Sequence, residues 1–437
     1  MRLPDAEWLH RPALAVLVGA LGECQARYVG GAVRDTLLGI AVKDVDIATP
    51  LEPQEVIRRL KAHAIQVIPT GIEHGTVTAI IDGGPVEITT LRHDVSTDGR
   101  RATVAFAQDW QDDAARRDFT INALYADPET LEVFDYFGGW EDLQAHRLRF
   151  IGDAHERIRE DHLRILRYFR FQARFGSQPA DPVAENACSE LAATLKGLSR
   201  ERVGMEMMNL LGLPDPAPTV ARMAELGVLA EVLPEADVAA LAALVAEEAR
   251  QSVEADALRR LAALIPADVS LAEGVASRFR LSGAQKKRLA LAAGREILPG
   301  TGRGTSAAGG GVRAVIATLP AKSESPHVPL HHPADGPPPH SGEDQAARAL
   351  AYRLGRPAAL DRMLLNGASV APLQGWEIPV LPLKGGDVVA RGVTVGPEVS
   401  RLLHAVEARW IANGFDNAAI PALLENELAS RLRTELG

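Results

Sequence analysis

The sequence predicts an α+β multidomain chain, with a small mixed or antiparallel sheet and helices over residues 1–145 followed by helices alone. Three observations carry this. Runs with β-like alternation, GIEHGTVTAII and PVEITTLR among them, lie before residue 145. From Asp153 onward, apolar residues recur at helical spacing. The 437 residues, 46% hydrophobic and 24% charged, are enough for two to four domains with cores of their own.

Taken in order, residues 1–24 read as a helix with Leu14, Leu17, Val18 and Leu21 on one side. Tyr28-Val29 ends a strand and delivers the chain to Gly30-Gly31. Two residues without side chains let the backbone approach a bulky anion closely. A helix from about Ala32 to Leu38 aims its free N–H groups back at that turn, which makes a phosphate seat. Gly39 stops the helix. In the extended run Val42 to Ala48, period-two geometry puts Asp44 and Asp46 on one face and Val45 and Ile47 on the other. Neighbouring carboxylates repel unless a cation sits between them, and hard oxygen donors suit Mg²⁺.

Pro53 starts a helix to about Ala62, and strands follow at Ile65–Ile68, Val77–Ile81 and Val86–Thr90. Glu87 points away from Val86 and Ile88. The residues alone leave it as either a third carboxylate beside the aspartates or a solvated strand glutamate. Arg92 to Trp110 is polar and aperiodic and reads as a loop. Asp112 to Asp127 reads as a helix with Ile121, Leu124 and Tyr125 inside, in which Arg117 is either a phosphate ligand or the ion-pair partner of Asp113.

Asp153 to Phe175 reads as one helix with Ile165, Leu166, Phe169 and Ala173 as its apolar stripe. Glu160, Asp161, Arg164 and Arg167 fall on the opposite face. Residues 147–174 hold eight arginines against four acids, a net +4 within a chain whose formal charge is −10. That overall charge excludes a general polyanion-binding surface, so nucleic acid would need such a local patch. The helix at 198–211 has Met205, Met208 and Leu211 at inner positions.

The residues divide into a head (1–145), a neck (146–211), an all-α body (212–298), a Gly/Pro/His-rich flexible insert (299–342) and a helical tail (343–437). Cys24 and Cys188 have no metal-ligand spacing and suit a reducing cytoplasm. No long uncharged apolar run or basic-then-apolar leader is present, so a soluble cytoplasmic protein with no membrane partner is expected. Oligomeric state is not written in the sequence.

The combination GGAVRD, an LLG stop and DVD within one strand–helix–strand unit resembles the nucleotidyltransferase superfamily. More narrowly, the chain is similar to the bacterial class II tRNA CCA-adding enzymes and the related bacterial poly(A) polymerases. RRDFTIN (Arg116 to Asn122), EDHLR (Glu160 to Arg164) and ERV (Glu201 to Val203) match further elements of that family. The resemblance implies a nucleotidyltransferase head and template-independent addition of C, C and A from CTP and ATP to the 3′ end of tRNA. It implies two Mg²⁺ ions held by Asp44 and Asp46, with Glu87 as a third catalytic carboxylate. It implies a triphosphate held by Gly30, Gly31, Arg34, Arg117, Arg167 and Arg170, and a base read by Asp161 and Arg164. Asp35, Asp118, Asn122 and Glu160 would support these groups. Between Arg92 and Trp110 it implies a flexible loop that helps switch between nucleotides, and in the tail a surface against the tRNA body.

Poly(A) addition, or addition of only CC or only A, stays open on these motifs. Poly(A) relatives carry an extended basic C-terminal tail, whereas this sequence ends ELASRLRTELG. A sugar-nucleotide transferase using DxD is disfavoured by GGAVRD and EDHLR, and a non-catalytic RNA-binding relative by Asp44 and Asp46 being intact. The family usually has nothing like the insert at this place, and it is given no role.

Overall fold

The computed structural model describes residues 1–98, 101–107, 109–295, 342–393 and 396–435. Pro12 sits in the first turn of α1 (Pro12–Leu21), which buries Leu14, Leu17 and Leu21 on one side. β1 (Arg27–Val29) runs into Gly30, whose φ of 68° is a conformation glycine adopts without strain. Helix α2 (Gly31–Leu37) starts there and ends at Gly39, also at φ 68°. The Gly39 and Ile40 N–H groups close it by donating to the carbonyls of Thr36 and Asp35. β2 (Val45–Thr49) leads to α3 (Pro53–Ala62), and β3 (Gln66–Gly71), β4 (Thr76–Ile81) and β5 (Gly84–Thr90) follow as a meander.

After β6 (Arg92–Asp98) and β7 (Arg101–Phe106), α4 (Trp110–Ala115) precedes β8 (Leu124–Ala126), β9 (Val133–Asp135) and α5 (Gly139–Gln144). Seven strands form one sheet in the order β3-β4-β5-β2-β1-β8-β9. β2 and β5 run parallel and the other neighbours antiparallel, so the sheet is mixed, as predicted.

Four local expectations are corrected. The segment after Arg92 is a hairpin, not a loop, because β6 and β7 pair antiparallel with a register shift between Asp94 and Ser96. Its charged residues hide the period-two pattern, while the β-branched Val95, Thr97, Thr103 and Val104 suit strands. The predicted helix 112–127 stops at Ala115, and after a 3₁₀ turn at Thr120–Asn122 the chain becomes β8. Ile121, Leu124 and Tyr125 are buried as expected, but Leu124 and Tyr125 pack as strand residues at the sheet.

The predicted helix 153–175 is two helices, α6 (Ala154–Glu160) and α7 (Arg164–Phe175). Asp161 is extended (φ −150°, ψ 104°) and its own carboxylate accepts the Leu163 N–H at 3.1 Å, the local bond by which Asp competes with helix. After α8 (Pro182–Glu190), helix α9 (Arg200–Leu211) buries Val203, Glu206, Met207 and Leu210, and leaves Met205 half exposed at 52%. The inner face is shifted because the buried acid Glu206 belongs to it.

The first compact unit, Met1–Ala293, is completed by α10 (Ala217–Glu225), α11 (Val228–Val232), α12 (Val238–Arg250), α13 (Ala257–Leu264), α14 (Val269–Arg278) and α15 (Gly283–Ala293). The second unit, Gly294–Gly437, contains α16 (Gly342–Leu354), α17 (Arg356–Leu365), α18 (Gly385–Val389), α19 (Gly396–Ala412) and α20 (Ile420–Glu435). Trp410, Val406, Leu402, Ile420 and Leu424 centre its core. The insert read at 299–342 lies outside the described residues except for Gly342. Among the described residues no helix is long and apolar enough to cross a membrane.

Candidate active site

The parallel pairing of β2 with β5 sets Asp46 directly beside Glu87. Val45 and Ile47 alternate with Asp46 and are buried at 1% and 0%, which turns the carboxylate to the open face. Asp44 is exposed and lies one residue ahead of β2 rather than within it. Burial pushes the Asp46 carboxyl up to about 6, and Glu87 and Asp44 add to the rise while Arg117 opposes it. Asp44, Asp46, Glu87 and Arg117 therefore share one electrostatic neighbourhood. Among the described residues no group of three or more His, Cys, Asp or Glu forms a ready ligand set. What the chain offers is hard oxygen donors crowded until one resists ionising, which fits a divalent cation such as Mg²⁺ in kind.

Next to these acids lies the glycine turn. A Cβ built on Gly30 would stand 3.3 Å from Nη1 of Arg117, and one on Gly31 would stand 3.7 Å from Nη2 of Arg34. The turn is thus faced by two guanidinium groups where a side chain would otherwise intrude. The Gly30 N–H donates to Leu124 in β8, which joins the turn to the sheet.

Three consecutive residues, Arg116 to Asp118, tie this head to α7. The Arg116 carbonyl accepts from Arg164 Nη2 at 3.0 Å. Arg117 faces Gly30. Asp118, 8% exposed, accepts from Arg167 Nε at 2.8 Å and from Asn122 Nδ2 at 2.9 Å. Burial would raise the Asp118 carboxyl, but the charge and hydrogen bonds of Arg167 and Asn122 hold it below its ordinary range. Asn122 in turn accepts from Arg34, which also donates to Asp35 at 2.8 Å. Arg174 reaches Asp35 at 3.5 Å. On the other side, Arg170 donates to Glu206 at 2.6 Å, and Arg167 lies 3.9 Å from the same carboxylate. Arg34, Arg167 and Arg170 all lie over the ring of Phe171, at 5.4, 5.4 and 4.6 Å.

Asp161 and Arg164 flank the break between α6 and α7; the Arg164 N–H donates to the Asp161 carbonyl at 2.9 Å, while their side chains have other partners. Asp161 accepts from Arg202 Nη2 at 2.6 Å as well as from Leu163. Arg164 donates to Glu160, to the Arg157 carbonyl at 2.9 Å and to the Arg116 carbonyl. Glu160 therefore supports Arg164 directly, and Arg202 braces Asp161 from α9. Every candidate site residue named from the sequence lies within the first unit, in or beside one of three linked groups: the acids with Gly30, Gly31 and Arg117; the Arg34–Asn122–Asp118–Arg167 chain with Arg170 at its end; and the Asp161/Arg164 break.

The sequence reading missed Glu206 and the hydroxyl of Tyr125. Glu206 was legible only as a lone acid among the methionines of RVGMEMM. In the sequence Tyr125 reads as one more apolar face residue. Asp113 is the ion-pair partner that the i, i+4 spacing suggests, at 3.2 Å from Arg117 Nη2, and it also joins Tyr125 and Arg116.

Residues 26–149 match the family described as Poly A polymerase head domain, and residues 181–239 match the family described as Probable RNA and SrmB- binding site of polymerase A. These two stretches of the chain are thus similar to parts of poly(A) polymerase-type proteins. The CCA tRNA nucleotidyltransferase 1, mitochondrial, of Homo sapiens is 46% identical over 190 residues, which is 43% of this chain and 44% of the human protein. The CCA-adding enzyme of Geobacillus kaustophilus is 38% identical over 208 residues, 47% of this chain and 50% of that relative. The chain thus spans about half the length of the curated relatives it matches. A crystal structure of the Bacillus stearothermophilus CCA-adding enzyme in complex with CTP superimposes with a TM-score of 0.63 at 25% identity, covering 97% of this chain and 98% of that one. That likeness extends over both the mixed sheet with its helices and the all-helical remainder described above.

Proposed function

We propose that this protein is a tRNA nucleotidyltransferase that adds C, C and A to tRNA 3′ ends, with CTP and ATP as donors and pyrophosphate as the leaving product. The observation that carries the reading is the convergence of Asp44, Asp46 and Glu87 with Arg117 and the Gly30 turn, linked through Arg116–Asp118 to Asp161 and Arg164. The names of the similar proteins support it.

Asp44 and Asp46, with Glu87 alongside, would hold Mg²⁺. When bound, the metal supplies Lewis acidity toward the attacking 3′-hydroxyl and charge neutralisation for the departing pyrophosphate. Gly30 and Gly31 let the triphosphate come close to the backbone, and Arg117 and Arg34 present donors there. Arg167 and Arg170, held by Asp118 and Glu206, continue the cationic track along α7. Asp161 and Arg164 choose the base. An ionised Asp only accepts and an Arg only donates. Cytosine and adenine both present an amino donor next to a ring-nitrogen acceptor, whereas uracil and guanine present the reverse. Held by Arg202 and by Glu160, the two side chains read that pattern as a template strand would.

In this reading residues 1–145 are the catalytic head, 146–211 the selecting neck, 212–298 the body and 343–437 a tail that lies along tRNA. The enzyme works in the cytoplasm, where its two free thiols, Cys24 and Cys188, stay reduced. Incubation with tRNA transcripts ending before CCA, after C and after CC, each with single labelled nucleotides, tests the reading. The expected products are completed CCA ends and nothing longer. An open-ended A tail would instead identify a poly(A) polymerase, and no extension at all would refute nucleotidyl transfer.

A further inference from the structure

Arg117 carries five N–H donors, and its inner edge is fully committed. Nε donates to the Tyr125 hydroxyl at 3.0 Å, and Nη2 donates to Asp113 Oδ2 at 3.2 Å. The Tyr125 hydroxyl closes the triangle by donating to the same Asp113 oxygen at 2.7 Å. Both supporting residues are interior, Tyr125 at 0% and Asp113 at 1% exposure. The other Asp113 oxygen is taken by Arg116 Nε at 2.8 Å and by the Arg92 N–H at 3.3 Å. Nη1 of Arg117 takes part in neither bond, and it is the atom that faces Gly30.

Packing of Tyr125 requires its ring, which meets Trp110 and Tyr136 edge-on at 6.0 Å each within a cluster of Val29, Ala48, Leu91 and Ile151. Packing does not require its hydroxyl. Burial holds that hydroxyl far above its ordinary range, so it stays protonated and can donate to Asp113 while accepting from Arg117. A phenylalanine would fill the same space and leave Nε of Arg117 without its acceptor.

We infer that Tyr125 is a positioning residue for the nucleotide's phosphates: with Asp113 it clamps the inner edge of Arg117, so that Nη1 is presented at the Gly30 turn in one fixed orientation. This rests on the function proposed above. It adds that the clamp acts on the β- and γ-phosphates and not on the base or on the choice between C and A, since the Tyr125 hydroxyl bonds Arg117 and Asp113 and not Asp161 or Arg164.

Calorimetric titration with CTP, inorganic pyrophosphate and CMP tests this. Tyr125→Phe should weaken CTP and pyrophosphate about tenfold, the scale of one charge-assisted hydrogen bond. CMP affinity, the ratio of C to A incorporation and the melting temperature should stay near wild type. In an Arg117→Lys background the same substitution should cost nothing further, because the clamp then has nothing to hold. Asp113→Asn should reproduce the phosphate-specific loss. Unchanged CTP affinity, an equal loss for CMP, or additive losses in the double variant would each overturn the inference while wild-type CTP binding leaves the functional reading standing. Failure of the wild type to bind CTP would remove both.

Discussion

Asp46→Asn is expected to lose nucleotide transfer by about 10³-fold or more and, in EDTA at pH 8, to melt at a higher temperature than wild type. The loss follows from removing one of the two charges that would hold the metal. The gain follows from Asp46's surroundings. Its carboxyl is raised from an ordinary 3.8 to about 6 by burial, with Glu87 and Asp44 adding to the rise. A carboxyl whose folded pKa is raised takes up protons on folding between those two values, so its penalty is absent below pH 3.8. The penalty grows as pH rises through that window and is complete above about 6. At 1.36 kcal/mol per unit the ceiling is about 3 kcal/mol, several degrees in melting temperature for a unit of this size. A melting series of both proteins from pH 4 to pH 8 reads this: the curves should converge at the acid end and separate toward the basic end. A variant less stable than wild type at pH 8 would contradict the crowding of acids at this site.

The second large effect is on nucleotide choice. Arg164→Ala should relax discrimination against UTP by about 100-fold while CTP incorporation falls less. Arg164 is placed by three acceptors, Glu160 and the carbonyls of Arg157 and Arg116. The last of these joins α7 to the segment before β8 across 48 residues of sequence. Under the proposed function, removing the side chain takes away the donor half of the template as well as this tether, so the comparison needs Arg164→Lys, which keeps a cation but not the planar fork. Competition between CTP and UTP on a transcript lacking CCA measures it. UTP rejected as strongly as in wild type would show that the base is chosen elsewhere.

Much of this site was legible because its parts are local. The Gly30 turn, the helix after it and the DVD strand lie within 17 residues, where backbone periodicity and glycine conformation dictate geometry. The pairing of Glu87 with Asp46 was readable only as a choice between two states, because strand register depends on the parallel crossover of β2 and β5. The split at Asp161 was missed since EDHLR keeps helical spacing, and only a side chain turned back on its own backbone reveals the break. Glu206 and the Tyr125 hydroxyl were missed for a related reason. A buried acid or a phenol oxygen looks ordinary until the distant arginine it holds is in place. The hairpin after Arg92 shows the reverse case, where backbone pairing prevailed over an unpromising side-chain pattern.

The central claim is that Asp44 and Asp46 grip divalent metal beside the Gly30 turn. Titration of Mn²⁺ into the protein with CTP present, followed by the loss of free-ion electron paramagnetic resonance signal, tests it most directly. Wild type should bind the ion in a CTP-dependent way, and a protein carrying both Asp44→Ala and Asp46→Ala should not, with its melting curve still cooperative. Equal Mn²⁺ binding by a folded double variant would contradict the claim.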